Sequence, residues 1–221
     1  MKLSKETLGL LKNFSGINSN LVLRDTGKLT TISAQKNIMA SASVAEAFPA
    51  EFGIYDLNEF LGAMSLFADP DLVFSEKFVT VKEGGNSIKY FAADASVLTA
   101  PQKAITFPDA EINFNMSSAM LDMIKKTSSV LRAADVSIVG DGSKVTAVVG
   151  DKKNATGNSY SEVIGDTDKV FKVNLKVENL KIKLEGLEKI LEYGNALMRT
   201  GNPVVLLDSN LVEKSRKNMK G

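Results

Sequence analysis

The chain has 221 residues, 44% of them apolar, with 27 Lys+Arg against 26 Asp+Glu and no cysteine, histidine or tryptophan. The length allows one large domain or two of ordinary size. The missing residues exclude disulfides, thiolate chemistry and imidazole acid–base or metal chemistry. A net charge of +1 excludes a surface cationic all round, so any basic face must be local.

Residues 1–108 carry 10 Lys+Arg and 11 Asp+Glu, and the rest carry 17 and 15. No apolar run reaches about 18 residues, so no membrane span is expected. The amphipathic start, which includes Glu6, does not read as a signal peptide.

The first predicted element is a helix from Ser4 to Ser15. Ser4 is the expected N-cap, and Leu3 and Leu8 stand where a hydrophobic staple needs them. Leu3, Thr7, Leu10, Leu11 and Phe14 fall in one arc, with Lys5 and Lys12 opposite. NLVLRDTGKLTTIS predicts two strands joined by a turn at Asp25 to Lys28, and NIMASASV and EFGIY predict two more. Asp56 is the expected N-cap of a second helix, whose stripe is Leu57, Phe60, Leu61, Met64 and Phe67 and which carries no lysine. LVFSEKFVTVKEGGNSIKYFAA predicts two or three strands with a hairpin turn at GGN.

DASVLTAPQKAITFPD has no period and holds Pro101 and Pro108, so residues 93–108 read as a crossover linker. It separates an N-terminal domain, 1–108, from a C-terminal one, 109–221, with a basic tail over 209–221. The pattern then restarts. EINFN predicts a strand, and Ser117 or Ser118 caps a helix to Arg132 that buries Met116, Met120, Met123, Ile124, Thr127 and Leu131. Lys125 and Asp122 are expected opposite that stripe, with Lys126 and Arg132 flanking. DVSIVGDGSKVTAVVGD predicts a hairpin turning at Asp141 and Gly142. VFKVNLK predicts a strand and VENLKIKL a short fourth helix with Lys176, Lys181 and Lys183. EKILEY, NALMR and PVVLLD predict closing strands.

The order helix, strands, helix, strands thus occurs twice. Leu8, Leu11 and Lys12 are in register with Leu121, Ile124 and Lys125. An internal duplication of this size predicts two α+β domains, each with two helices on one face of antiparallel sheets.

Three stretches carry a resemblance: MKLSKETLGLLKNFSGINS, IYDLNEFLGAMSLFAD and AADASVLTAPQKAITFP. Through them the chain, from Met1 to about Ser209, resembles the trimeric DNA polymerase sliding clamps of T-even-type bacteriophages. The resemblance implies the DNA-clamp fold and a homotrimeric ring of two-domain subunits joined head to tail. It implies double-stranded DNA bound without sequence preference, a replicative DNA polymerase and a clamp loader ATPase as partners. It implies no catalytic residues, no cofactor, no metal and no membrane, in the cytoplasm of an infected bacterial host.

The ring it implies is lined by helices, which makes Lys5, Lys12, Lys125, Lys126, Arg132, Lys176, Lys181 and Lys183 the expected DNA-binding residues. Lysine suits a sliding contact because it is a flexible, hydrated point charge that meets phosphates without reading bases. Any surface helix also carries lysine opposite its core stripe, so the pattern alone does not separate DNA binding from a solvated face. Partner peptides are implied near the crossover. Val97, Leu98, Pro101, Ile105 and Phe107 are either the wall of their groove or packing of the crossover on its own domains. Two other readings stay open at this stage: a phage scaffolding protein that reuses the unit for protein contacts, and a small hydrolase, for which no constellation is present.

Overall fold

Ser4 has an extended backbone, φ −66° and ψ 158°, and its hydroxyl accepts from the Thr7 N–H. That cap starts helix α1, Lys5–Ser15, and its position follows from a hydroxyl satisfying one of the first free amides. A computed structural model describes residues 1–36, 38–101, 113–151, 153–154, 156–181, 191–194, 196–197 and 204–208. The chain divides into two compact units, Met1–Thr106 and Phe107–Gly221.

In the first unit α1 is followed by β1 (Leu21–Leu23), β2 (Lys28–Ile32), β3 (Ile38–Ser43), β4 (Phe52–Ile54), α2 (Leu57–Ser65), β5 (Asp71–Phe74), β6 (Phe78–Glu83) and β7 (Asn86–Phe91). β2 and β3 form an antiparallel hairpin, and β5, β6 and β7 form a meander. The turn before β7 places Gly84 at φ +58°, where a side chain is strained. β1 does not ladder with β2, its predicted neighbour across the Asp25–Lys28 turn, but with β4, Val22 facing Gly53. Asp56 caps α2 by accepting from the N–H groups of Asn58 and Glu59. Leu11 and Phe14 of α1 and Leu57, Phe60 and Met64 of α2 close on Leu21, Leu29, Ile54, Val79 and Val81. Phe60 meets Tyr90 edge-on at 5.3 Å.

In the second unit the order is β8 (Asn113–Met116), α3 (Ser118–Leu131), β9 (Asp135–Asp141), β10 (Lys144–Val149), β11 (Tyr160–Asp166), β12 (Val170–Lys176), β13 (Leu191–Gly194), β14 (Ala196–Leu197) and β15 (Val204–Asp208). The main sheet runs β11-β10-β9-β12, and β13 pairs with β8. The Asp141 carboxylate accepts from the N–H groups of Ser143 and Lys144, which with Gly142 at φ +89° makes the β9–β10 turn. Leu121 and Ile124 of α3 pack on Val136, Ile138, Val145 and Ala147.

Three sequence expectations change here. SYSEVIGD carries no strand prediction, yet it forms β11, whose one buried side chain is Ile164. The methionine stripe of α3 is rotated: Leu121 and Ile124 are buried, while Met123 is 45% exposed. The fourth helix over VENLKIKL opens as a single 3-10 turn, Val177–Asn179, and Lys176, at its N-cap position, supplies no side-chain cap. The Asp56 that starts α2 has no equivalent there. Residues 182–184 of that segment and the basic tail lie outside the described residues.

Candidate nucleic-acid interface

Helix α1 buries Thr7, Leu11 and Phe14, which span roughly 60° at about 100° per residue. Lys5 and Lys12 project from the opposite side and are exposed. Among the described residues neither lysine has an ion-pair partner. Their charges are therefore available to an anion outside the unit.

Long-range hydrogen bonds hold both ends of this helix. At the start, Glu46 from the β3–β4 loop accepts from the Ser4 N–H at 2.6 Å and from the Thr7 hydroxyl at 2.6 Å. Partial burial works to raise the Glu46 pKa, but these hydrogen bonds outweigh it and hold the carboxyl below its ordinary value. Past the end, Asn18 donates to the carbonyls of Ile32 at 2.8 Å and Thr99 at 2.7 Å. Asn20 accepts from the Thr99 N–H at 3.0 Å and donates to the Tyr55 carbonyl at 2.6 Å. The first part of the crossover is thus gripped by the turn that follows α1. Neither Glu46 nor the two asparagines was legible as functional, because each acts across tens of residues of sequence.

Helix α3 repeats the cap 113 residues on, with Ser117 accepting from the Met120 N–H at 3.2 Å. Rotation of the buried stripe exchanges the roles of two lysines. Lys126 is exposed opposite Leu121 and Ile124, whereas Lys125 is half-buried beside them. Arg132 is exposed and ends the helix in the left-handed conformation, φ 52°, its N–H donating to the Ser128 and Ser129 carbonyls. Lys176 pairs with the largely buried Asp135 at 3.0 Å, so part of its charge is used inside the unit. Lys181 is exposed next to buried Leu180. Lys183 lies outside the described residues.

The crossover candidates separate as well. Val97, on a 3-10 turn over Ala95–Val97, is 66% exposed, while Leu98 is 6% exposed. The Leu98 side chain lies against Gly53, where an added Cβ would fall 2.9 Å from it and 2.2 Å from the Ala93 carbonyl oxygen. Leu98 is therefore packing within its own unit. Pro101 is half-buried, and Ile105 and Phe107 lie outside the described residues. Among the described residues no acidic cluster could hold a metal, and no helix is long and apolar enough to cross a membrane.

The arrangement can offer phosphates an exposed lysine row without reading bases. The sequence profile of the DNA polymerase processivity factor family matches residues 4–106. The sliding clamp of Vibrio phage KVP40 is 32% identical over 190 residues, which span 82% of this chain and 86% of that protein. The chain belongs to the sliding clamp family. The sliding clamp of Enterobacteria phage T4 is 30% identical over 190 residues, 83% of each chain. The solved structure of A. fulgidus PCNA, bound to the C-terminal region of FEN-1, aligns with a TM-score of 0.62 at 13% identity, covering 85% of this chain and 83% of that one. The shared fold with PCNA agrees with the duplicated α+β units seen here. Family membership makes this chain a processivity factor and leaves the work of each side chain to be argued from its own geometry.

Proposed function

We propose that three copies of the chain, about 71 kDa from subunits of 23.8 kDa, close head to tail around duplex DNA and tether the replicative polymerase. Two clamp domains, about 1–108 and 109–221, contribute to each third of the ring. The observation that carries the reading is the pair of capped helices, 113 residues apart, that expose Lys5 and Lys12 in one unit and Lys126 in the other. Lys125, Arg132, Lys181 and Lys183 add to the positive lining, and Lys176 adds less because Asp135 shares it. Phosphate contacts of this kind are sequence-independent and individually weak, so a closed ring, not affinity, keeps the protein on its template.

Sheet edges support the closure. Among the described residues β7 and β11 each lie at the outside of their sheet. β7 exposes Phe91 and Lys89, and β11 exposes Val163 beside Glu162 and Asp166. An edge that exposes apolar side chains favours pairing; β7 adds Lys89, while on β11 Asp166 is already paired with Lys144 and Glu162 accepts from the Tyr160 hydroxyl. Joining β7 of one subunit to β11 of the next gives a heterologous contact, which can close a ring. An ATP-driven clamp loader opens and places it, in the cytoplasm of the infected bacterium. Partner peptides dock beside Val97 and Pro101; Ile105 and Phe107, also expected at that groove, lie outside the described residues. The chain itself performs no catalysis.

Loading by the clamp loader with ATP tests the reading. The protein is expected to remain on nicked circular DNA and to leave linear DNA by its ends. Lys12→Gln with Lys126→Gln should lower the slope of log retention against log salt by about one for each phosphate no longer neutralised. Equal retention on both DNA forms would favour the scaffolding alternative. An unchanged salt slope would make these lysines a solvated surface only.

A further inference from the structure

In a capping box, the residue three places into the helix returns its carboxylate or amide to the N-cap backbone N–H. In α1 that third residue is Thr7, whose side chain is too short for the task. The carboxylate comes instead from Glu46, 42 residues from Ser4, and takes the Ser4 N–H and the Thr7 hydroxyl at 2.6 Å each. The Ser4 hydroxyl completes the chain by donating to Thr7 Oγ1 at 3.1 Å and accepting the Thr7 N–H at 3.2 Å. Thr7 is buried while Ser4 and Glu46 are half-buried, so the network is sheltered on its Thr7 side. The same place in α3 holds Met120, whose thioether can do none of this, and among the described residues Ser117 works alone.

This long-range bond does two things that a local one cannot. It fixes the first turn of α1 against the β3–β4 loop and so sets the direction in which the helix leaves Ser4. It also occupies both oxygens of Glu46, and among the described residues that carboxylate forms no ion pair with the ammonium of Lys5, the first residue of the helix. We propose that Glu46 is a positioning residue for DNA, holding the first turn of α1 so that Lys5 is presented at a fixed angle to the phosphate backbone. The proposal rests on the DNA-facing reading of α1.

The test is a pair of double-mutant cycles on the loaded, full-length ring, read as retention on nicked circular DNA across a salt series. Glu46→Ala should shorten retention about threefold and lower the salt slope by about one, the signature of one phosphate going unneutralised. In a Lys5→Gln background the same substitution should change retention less than about 1.5-fold, because the ammonium it positions is already absent. In a Lys126→Gln background it should keep its full effect. Glu46→Gln keeps one acceptor for the Ser4 N–H and should recover at least half of the retention; it also carries the cycles if Glu46→Ala does not fold. Amide exchange at Lys5 to Leu8 should speed up in Glu46→Ala. Equal effects of Glu46→Ala in the Lys5→Gln and Lys126→Gln backgrounds would overturn the proposal and leave Glu46 a structural cap. A Lys5→Gln ring with wild-type retention and salt slope would instead overturn the DNA-facing reading of α1, and the role of Glu46 with it.

Discussion

Helix α1 is capped by Ser4 and α3 by Ser117, and both bury an aliphatic side chain at the same place in register, Leu11 and Ile124, each with no exposed surface. Beyond that they differ. α1 turns two lysines directly away from its core and is fastened at both ends by residues distant in sequence. α3 turns one lysine away, exposes Met123 and Val130 on the same side, and ends on Arg132. Duplication has preserved the parts needed to fold each helix, the cap and the central core residue. The parts that orient and charge the outer face have diverged.

The most severe way to break the comparison is to empty the shared position. Leu11→Ala and Ile124→Ala should each cost about 3 kcal/mol, the transfer of a large side chain plus the cavity it leaves. Hydrogen exchange should show reduced protection in the substituted unit, since each residue belongs to a separate core. Reduced protection across both units from either change would show one cooperative body.

Removing the caps sharpens the contrast. Ser117→Ala should cost about 1 kcal/mol, as for an ordinary N-cap. Ser4→Ala should cost more, about 2 kcal/mol, because it also strips a partner from the buried Thr7 hydroxyl. Thermal unfolding of the two variants side by side checks the order, and equal destabilisation would mean that the Glu46 network adds nothing.

Acid gives the smallest effect. The Glu46 carboxyl is held below its ordinary value in the folded chain, so its contribution is complete above the ordinary carboxylate range and is lost as pH falls through the folded value. Protection of the Thr7 and Leu8 amides, taken relative to intrinsic exchange at each pH, should therefore fall on acidification before that of Met120 and Leu121, whose cap holds no carboxylate among the described residues. A Glu46→Gln chain should lose that difference.

Much of the fold was legible because it is written locally. Ser4, Asp56 and Ser117 are caps that need only their own next three residues, and Asp141 with Gly142 needs only its own turn. β11 was hidden because its burial is set by neighbours: the strand lies at a sheet edge, and polar Ser161, Glu162 and Asp166 mask the single buried Ile164. The rotation of α3 was hidden for a related reason. Met120, Met123 and Thr127 form as good an arc as Leu121 and Ile124, and only the sheet beneath decides between them. That choice moved Lys126, not Lys125, to the outermost position. In the site, the exposure of Lys5 and Lys12 was readable from periodicity, whereas the pairing of Lys176 with Asp135 and the burial of Leu98 depend on neighbours that no short window contains.

Thr99 is held by its N–H and its carbonyl at once, through two asparagines on the turn after α1. A single residue clamped on both sides is released only when both bonds are lost. The strap is consequently shorter in mechanical terms than its sequence suggests: residues 93 to 99 travel with the first unit.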